Sequence, residues 1–335
     1  MAIKPRKISI VGSGHVGSHC GFSLITQGVC DELFMIDIDE SKSKAQALDL
    51  ADAVSYLPHK VHIEKGTFSD CKDSDIVVIS VADSSEGPLR RQNTTRLDLL
   101  RPTIGMIKSI VKPIVDSGFD GIFIVISNPV DVVTNYIWEK SGFPKNKVIG
   151  TGTALDSTRL RRLLSEETGI AQQSIQAYSM GEHGDSQMVP WSHVSIGGKP
   201  ILDMIKDNPN TYSNLDLPSI VEKNKKTGIN IINGKDCTEF GIGTALVEIV
   251  KAILHNEKKI LPVSTLLENQ YNERNVFASV PCVIGKDGIE EIIEINMTED
   301  EQNEFNKSCS VLREYIALSK NTLDSRFFFT LKAGK

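Results

Sequence analysis

The string Gly181-Glu182-His183-Gly184-Asp185, with Leu155-Asp156-Ser157-Thr158-Arg159 upstream of it, holds the residue types needed for half of an alcohol oxidation. Imidazole is the side chain whose unperturbed pKa lies nearest neutrality. His183 held against the Asp156 carboxylate can therefore take a proton from an alcohol and return it to a carbonyl oxygen. Arg159 offers a planar, permanently charged fork that matches the two oxygens of a carboxylic acid. The other half of the oxidation is a hydride, which no side chain carries, so this set of residues requires a redox cofactor.

The N-terminal segment has the pattern of a cofactor site. Lys7 to Val11 reads as a strand that runs directly into Gly12-Ser13-Gly14-His15-Val16-Gly17, followed by a helical stretch to about Gly28. In that context Gly12 permits the tight turn, Gly14 the approach of a pyrophosphate, and Gly17 close packing of the helix whose N-terminus receives the anion. Asp37 ends the next strand, twenty residues after Gly17. A carboxylate there accepts from a ribose 2'-hydroxyl and repels a 2'-phosphate, which favours NAD over NADP. The plainer alternative is a glycine turn with Asp37 as a solvated strand end.

The elements that must position these groups are legible in outline. Ser41 to Tyr56 reads as a helix, and Ile76 to Val81 and Ile122 to Ile126 are continuous apolar runs suited to strands buried on both faces of a parallel sheet. Strands alternating with helices over residues 1–150 indicate an α/β, doubly wound domain. Residues 151–335 have an α+β texture. They offer a helix from about Ala154 to Thr168 and β-like segments at Val189 to Ile196, Val276 to Ile284 and Glu290 to Ile295. A further helix runs from Thr238 to about His255, and another follows the capping box Thr298 to Glu301, aligning Phe305, Cys309, Leu312 and Ile316. Residues 206–214 read as a polar surface loop.

Composition narrows the class. The 335 residues are 40% hydrophobic and 24% charged with a net charge of -6, which argues against binding to phosphate backbones or anionic membranes. No apolar run in residues 1–30 suggests a signal peptide or a membrane span, so the expected location is cytoplasmic. The six cysteines show no C-x-x-C pair, which favours reduced thiols in the core over disulfides or a metal site.

Together with Ser127-Asn128-Pro129-Val130-Asp131 and Gly150 to Asp156, these strings resemble the lactate/malate dehydrogenase family over essentially the whole chain, with the closest likeness to its bacterial L-2-hydroxyisocaproate and L-lactate dehydrogenase branch. The resemblance implies a Rossmann-type NAD-binding domain at 1–150, an α+β catalytic domain at 151–335, a small 2-oxo or 2-hydroxy acid substrate, and a homo-oligomer, with the tetramer favoured. It makes His183 the proton donor and acceptor, Asp156 the carboxylate that orients it, and Arg96 the arginine that a closing loop brings to the C2 carbonyl. Arg159 then clamps the substrate carboxylate, Asn128 contacts nicotinamide or substrate oxygen, and Thr238 and Ile242 line the substrate and nicotinamide pockets.

The segment from Asp83 to Thr95 departs from the family pattern. It is longer than in typical lactate enzymes, and Leu89, Arg90, Arg91 and Gln92 compete for the position that reads the substrate side chain. The extra length favours aliphatic 2-oxo acids. Malate chemistry, with an arginine on a second carboxylate, and a non-catalytic NAD-binding module are the alternatives. Asp83 stands where the family has a small residue. Arg161 fits one position of the sugar-phosphate site of activated relatives, but Gln176 stands at the other, so activation of that kind is not implied. Plainer readings exist residue by residue: Asp156 as a helix cap, Arg159 with Arg161 and Arg162 as a solvated basic face, Arg96 as a loop charge, Thr238 as an N-cap, Lys223 to Lys226 as a solvated helix end, and Phe327 to Phe329 as a packed tail.

Overall fold

A computed structural model describes residues 4–82, 96–212 and 215–324, with backbone only at 96–99 and 321–324. Its centre is a nine-stranded sheet. Six strands form the N-terminal part: β1 (Lys7–Val11), β2 (Glu32–Ile36), β3 (His62–Lys65), β4 (Ile76–Ile79), β5 (Ile122–Val125) and β6 (Val148–Gly150). They lie in the order β6-β5-β4-β1-β2-β3, and every pair among them is parallel. β4 and β5 are buried at every position, the reason their sequences are unbroken apolar runs. This is the order of a doubly wound Rossmann-type sheet, which reverses direction between β1 and β4 and opens a crevice there.

Helices α1 (His15–Thr26), α2 (Glu40–Ala53), α3 (Arg96–Asp116) and α4 (Val130–Ser141) connect these strands. After β6 come α5 (Ala154–Thr168), the small sheet β7 (Ile175–Gln176), β8 (Ser195–Ile196) and β9 (Lys199–Pro200), then α6 (Ile201–Asp207), α7 (Leu217–Lys235) and α8 (Phe240–Leu254). The antiparallel run β10 (Lys259–Glu268), β11 (Arg274–Gly285) and β12 (Gly288–Ile292) extends the large sheet beyond β6 through Ser264 opposite Gly150. The sheet therefore continues across residue 150. Helix α9 (Glu299–Asp324) starts at the expected capping box: Thr298 N–H donates to Glu301 Oε2 at 2.9 Å and Glu301 N–H donates to Thr298 Oγ at 3.3 Å.

Several sequence readings are corrected. Val189 to Ile196 is mostly irregular, with only Ser195–Ile196 in a strand, because Pro190 precedes a 3-10 turn at Trp191–His193. Residues 206–212 contain the end of α6 and one further turn, Pro209–Tyr212. Lys223 to Lys226 lie inside α7, which Asp216 caps by accepting from Ser219 N–H at 3.0 Å. α8 begins at Phe240, without a side-chain cap from Thr238. Five cysteines are buried and Cys237 is half-buried. The main core packs α1, α3, α4, α8 and α9 on the large sheet, and a smaller one joins Leu160, Leu163 and Leu164 of α5 to Ile175, Ile196 and Ile220. Among the described residues no helix is long and apolar enough to cross a membrane.

Candidate active site

The site is assembled along one edge of the sheet. Val11, Ile79, Val125 and Gly150 lie across from one another in β1, β4, β5 and β6, so the residues that follow them emerge side by side. At the first exit Gly12 has φ +103°, and a Cβ there would lie 2.4 Å from the Ser80 carbonyl oxygen. A Cβ at Gly17 would lie 1.9 Å from the Gly12 oxygen, so strand and helix pack with no room for a side chain. Gly14 differs: a Cβ there would meet only Lys42 Nζ, at 3.8 Å. α1 has neither a side-chain cap nor an acid in its first turn, which leaves its leading N–H groups to an external anion. Asp37 stands beside this loop, its Oδ2 accepting from Ser13 N–H at 2.6 Å and its Oδ1 from Asp39 N–H at 3.1 Å.

His183 and Arg159 come together on Asp156. His183 Nδ1 is 2.5 Å from Asp156 Oδ2, and Arg159 Nη1 donates to Asp156 Oδ1 at 3.3 Å. Asp156 is in the first turn of α5, whose N-cap position is Thr153, and its carboxylate reaches both of these partners. Arg159 is only 8% exposed, whereas Arg162 is half-buried and pairs with Glu166, so the three arginines of this helix do not share one solvated face. Burial lowers the pKa of Arg159, and Asp156 opposes that shift. Asn128 is exposed at the end of β5, Thr238 is half-buried and Ile242 is buried on α8. α3 begins at Arg96, but the Arg96 side chain, Asp83, the stretch 84–95 and Phe327 to Phe329 lie outside the described residues. Arg161 donates to Thr158 Oγ at 3.3 Å, and Gln176 is exposed on β7.

The string around His183 is pinned from several directions. Gly181 pairs with Ser279 of β11, has φ +86°, and would place a Cβ 2.4 Å from Ser308 Oγ, so only glycine suits the position. Glu182 is buried, and its carboxylate accepts from Ser186 N–H and Oγ–H at 3.0 and 2.5 Å. Asp131, at the start of α4, accepts the His183 backbone N–H at 2.9 Å and faces the Ser279 hydroxyl at 3.5 Å. Burial raises the Asp131 carboxyl to about 6, opposed by the His183 N–H that it accepts.

The sequence profile of the lactate/malate dehydrogenase NAD binding domain matches residues 6–150, and that of the family's alpha/beta C-terminal domain matches 153–323. The chain belongs to the lactate/malate dehydrogenase family. An L-lactate dehydrogenase of Fusobacterium nucleatum is 46% identical over 319 residues, covering 95% of this chain and 98% of that one. L-lactate dehydrogenase 3 of Bacillus thuringiensis is 44% identical over 311 residues, 93% and 97% of the two chains. Among solved structures, a lactate dehydrogenase from a deep-sea metagenome superposes with a TM-score of 0.89 at 38% identity, covering 95% of this chain and all of that one (100%). The minor L-lactate dehydrogenase of Enterococcus mundtii gives 0.88 at 38% identity, over 93% and 98%. Lactate and malate are both 2-hydroxy acids, so this dehydrogenase is an NAD-dependent oxidoreductase acting on that class.

The open side of Gly14, the uncapped start of α1 and the Asp37 carboxylate beside it fit NAD. Sequence reasoning assigned no role to Asp131, Ser279 and Ser308, which hold the dehydrogenase's histidine segment, or to Gly228, where a Cβ would lie 3.5 Å from Arg159 Nη1. Asp131 was in view within the string Ser127 to Asp131; the serines carry no local signal.

Proposed function

We propose that the dehydrogenase interconverts monocarboxylic aliphatic 2-oxo acids and their L-2-hydroxy acids, with His183 as proton donor and acceptor. The observation that carries this is the shared Asp156 carboxylate, one oxygen on His183 Nδ1 and the other on Arg159. With Nδ1–H committed to Asp156, Nε2 is the end that exchanges a proton with the substrate oxygen, and Asp156 stabilises the imidazolium. Bound NADH supplies the hydride to C2. The rest of the Arg159 fork receives the substrate carboxylate. The long segment from Asp83 to Thr95 favours an aliphatic substrate side chain over a second carboxylate. Arg96 is assigned to the carbonyl oxygen, Asn128 to nicotinamide or substrate oxygen, Thr238 to the substrate wall and Ile242 to the nicotinamide wall. Residues 1–150 form the cofactor half and 151–335 the substrate half.

NADH oxidation with a panel of 2-oxo acids tests this reading. Activity on 2-oxoisocaproate comparable to or above that on pyruvate, and well above oxaloacetate, is expected. A large preference for oxaloacetate instead puts Arg90 or Arg91 in the pocket and makes the enzyme a malate dehydrogenase. For the cofactor, Asp37→Ser is expected to relax discrimination against NADP by about tenfold or more, since it removes both the ribose acceptor and the repulsion of a 2'-phosphate. Discrimination unchanged from wild type in paired NADH and NADPH titrations would assign that task elsewhere.

The same reading takes the protein as a cytoplasmic homotetramer. Exposed Phe22, Leu48 and Tyr56 on and beside α1 and α2 support self-association. Sedimentation of a single-chain species, or recovery in a membrane fraction, would contradict it.

A further inference from the structure

We propose that His15, Cys237 and Glu239 form a binding site for a transition metal ion of the zinc class, and that its occupancy antagonises NADH. α7 ends at Lys235, and Asp236 after it, with φ +69°, turns the chain so that Cys237, Thr238 and Glu239 lead into α8. α8 lies tightly against α1 at Gly243, where a Cβ would meet Ser23 Oγ at 2.5 Å. That crossing brings the start of α8 to the first turn of α1. One donor atom each from His15, Cys237 and Glu239 then lies within 4.8 Å of the others.

The donor set and its surroundings suit a soft-to-borderline ion. Thiolate, imidazole and carboxylate are ligand types that zinc takes in tetrahedral sites, with donor atoms at roughly 2.0–2.3 Å from the metal. Donors around such an ion sit about 3.5 Å apart, so a closure of about 1 Å suffices here. His15 Nδ1 already stands 3.2 Å from Glu239 Oε1, and its 81% exposed side chain has room to turn toward Cys237. Glu239 is 8% exposed, and its Oε1 faces the Nδ1 atoms of His15 and His19 at 3.2 and 3.5 Å. Burial disfavours its ionisation, yet hydrogen bonds from Lys235 and Cys237 and the nearby His19 and Lys235 hold its pKa below the ordinary value. Lys235 occupies Oε2 at 2.5 Å, which leaves Oε1 for monodentate ligation. Thiolate and carboxylate together neutralise a divalent ion. His19, already placed by its Nδ1 against the His15 carbonyl at 2.8 Å, buttresses the α1 side.

The consequence follows from which residues are tied down, and rests on the cofactor reading above. His15 belongs to the glycine loop, and Thr238 lies between the Cys237 and Glu239 donors. A metal fixes the His15 ring across the start of α1, where the pyrophosphate is to approach, and adds a ligand that NADH must displace.

Equilibrium dialysis of the purified protein against zinc chloride, with cobalt chloride as a spectroscopic probe, tests the site. One zinc per chain, at least tenfold weaker retention in both Cys237→Ser and His15→Gln, and a thiolate-to-cobalt charge-transfer band lost in Cys237→Ser are expected. Retention in His183→Asn should match wild type. No retained metal, wild-type retention in both site variants, or loss in His183→Asn overturns the proposal. NADH fluorescence titrations with and without zinc read the antagonism: zinc should weaken NADH binding at least tenfold in the wild type and little in Cys237→Ser. Equal NADH affinity with the metal bound overturns the antagonism. A metal-free wild type that fails to bind NADH refutes the cofactor reading instead.

Discussion

Replacing His183 with Asn is expected to lower kcat for 2-oxo acid reduction by about 10³-fold, the middle of the range for a positioned general acid. Asn holds neither the transferable proton nor a charge that Asp156 can stabilise. Asp156→Asn should cost at least as much. Its amide can present a donor to Nδ1 and so favour the neutral tautomer with its proton on Nε2, which cannot take a proton from the alcohol there, and it leaves the imidazolium and the buried Arg159 without the carboxylate charge they share. Both variants should bind NADH as wild type does, because neither residue is near the glycine loop in the chain or in the hydrogen-bond pattern. Single-turnover reduction followed by NADH absorbance separates chemistry from release. If His183→Asn retains more than about a tenth of wild-type kcat, proton transfer is not its role.

What could be read in advance was whatever depends on near neighbours. β4 and β5 announce themselves because burial on both faces demands unbroken apolar runs, and α9 because Thr298 and Glu301 satisfy each other's backbone three residues apart. β10 escaped notice because Pro262 interrupts an apolar run and reads as a break; in the sheet it lies opposite Pro281 of β11. α7 was legible only as a helix end at Lys223 to Lys226, because its polar, lysine-rich face hides the few buried anchors, Ile220 and Asn224, and with them its true extent to Lys235. The site shows the same division. His183, Asp156 and Arg159 were legible by type and spacing, and the structure joins both His183 and Arg159 to the Asp156 carboxylate. The grip of Asp131 on the His183 backbone joins residues 52 apart, and that of Ser308 on Glu182 joins residues 126 apart, so neither has a trace in local pattern.

The two arginines assigned to the substrate differ in when they act, and that difference is measurable. Arg159 is proposed to hold a carboxylate present equally in ground and transition states. Arg159→Lys should therefore raise KM by about 10²-fold or more: a lysine reaching from the same buried position presents a point charge in place of two parallel N–H groups. A loss in kcat should accompany it, since a carboxylate held at one point lets C2 drift from its position against His183. Arg96, at the start of α3, is proposed to face charge that appears on the carbonyl oxygen only as the reaction proceeds. Arg96→Gln should accordingly lower kcat by about 10²-fold or more while changing substrate affinity much less. Steady-state kinetics paired with oxamate titration on both variants distinguishes the cases, because oxamate carries the carboxylate and the carbonyl without undergoing reduction. The charge balance of the site sharpens the contrast: removing the Arg159 fork leaves the Asp156 and substrate carboxylates facing one compact ammonium, whereas removing Arg96 leaves the His183, Asp156 and Arg159 set intact. If Arg96→Gln abolishes oxamate binding but turns over normally at saturation, the loop arginine is a binding group, and stabilisation of the developing oxyanion must be assigned to His183 alone.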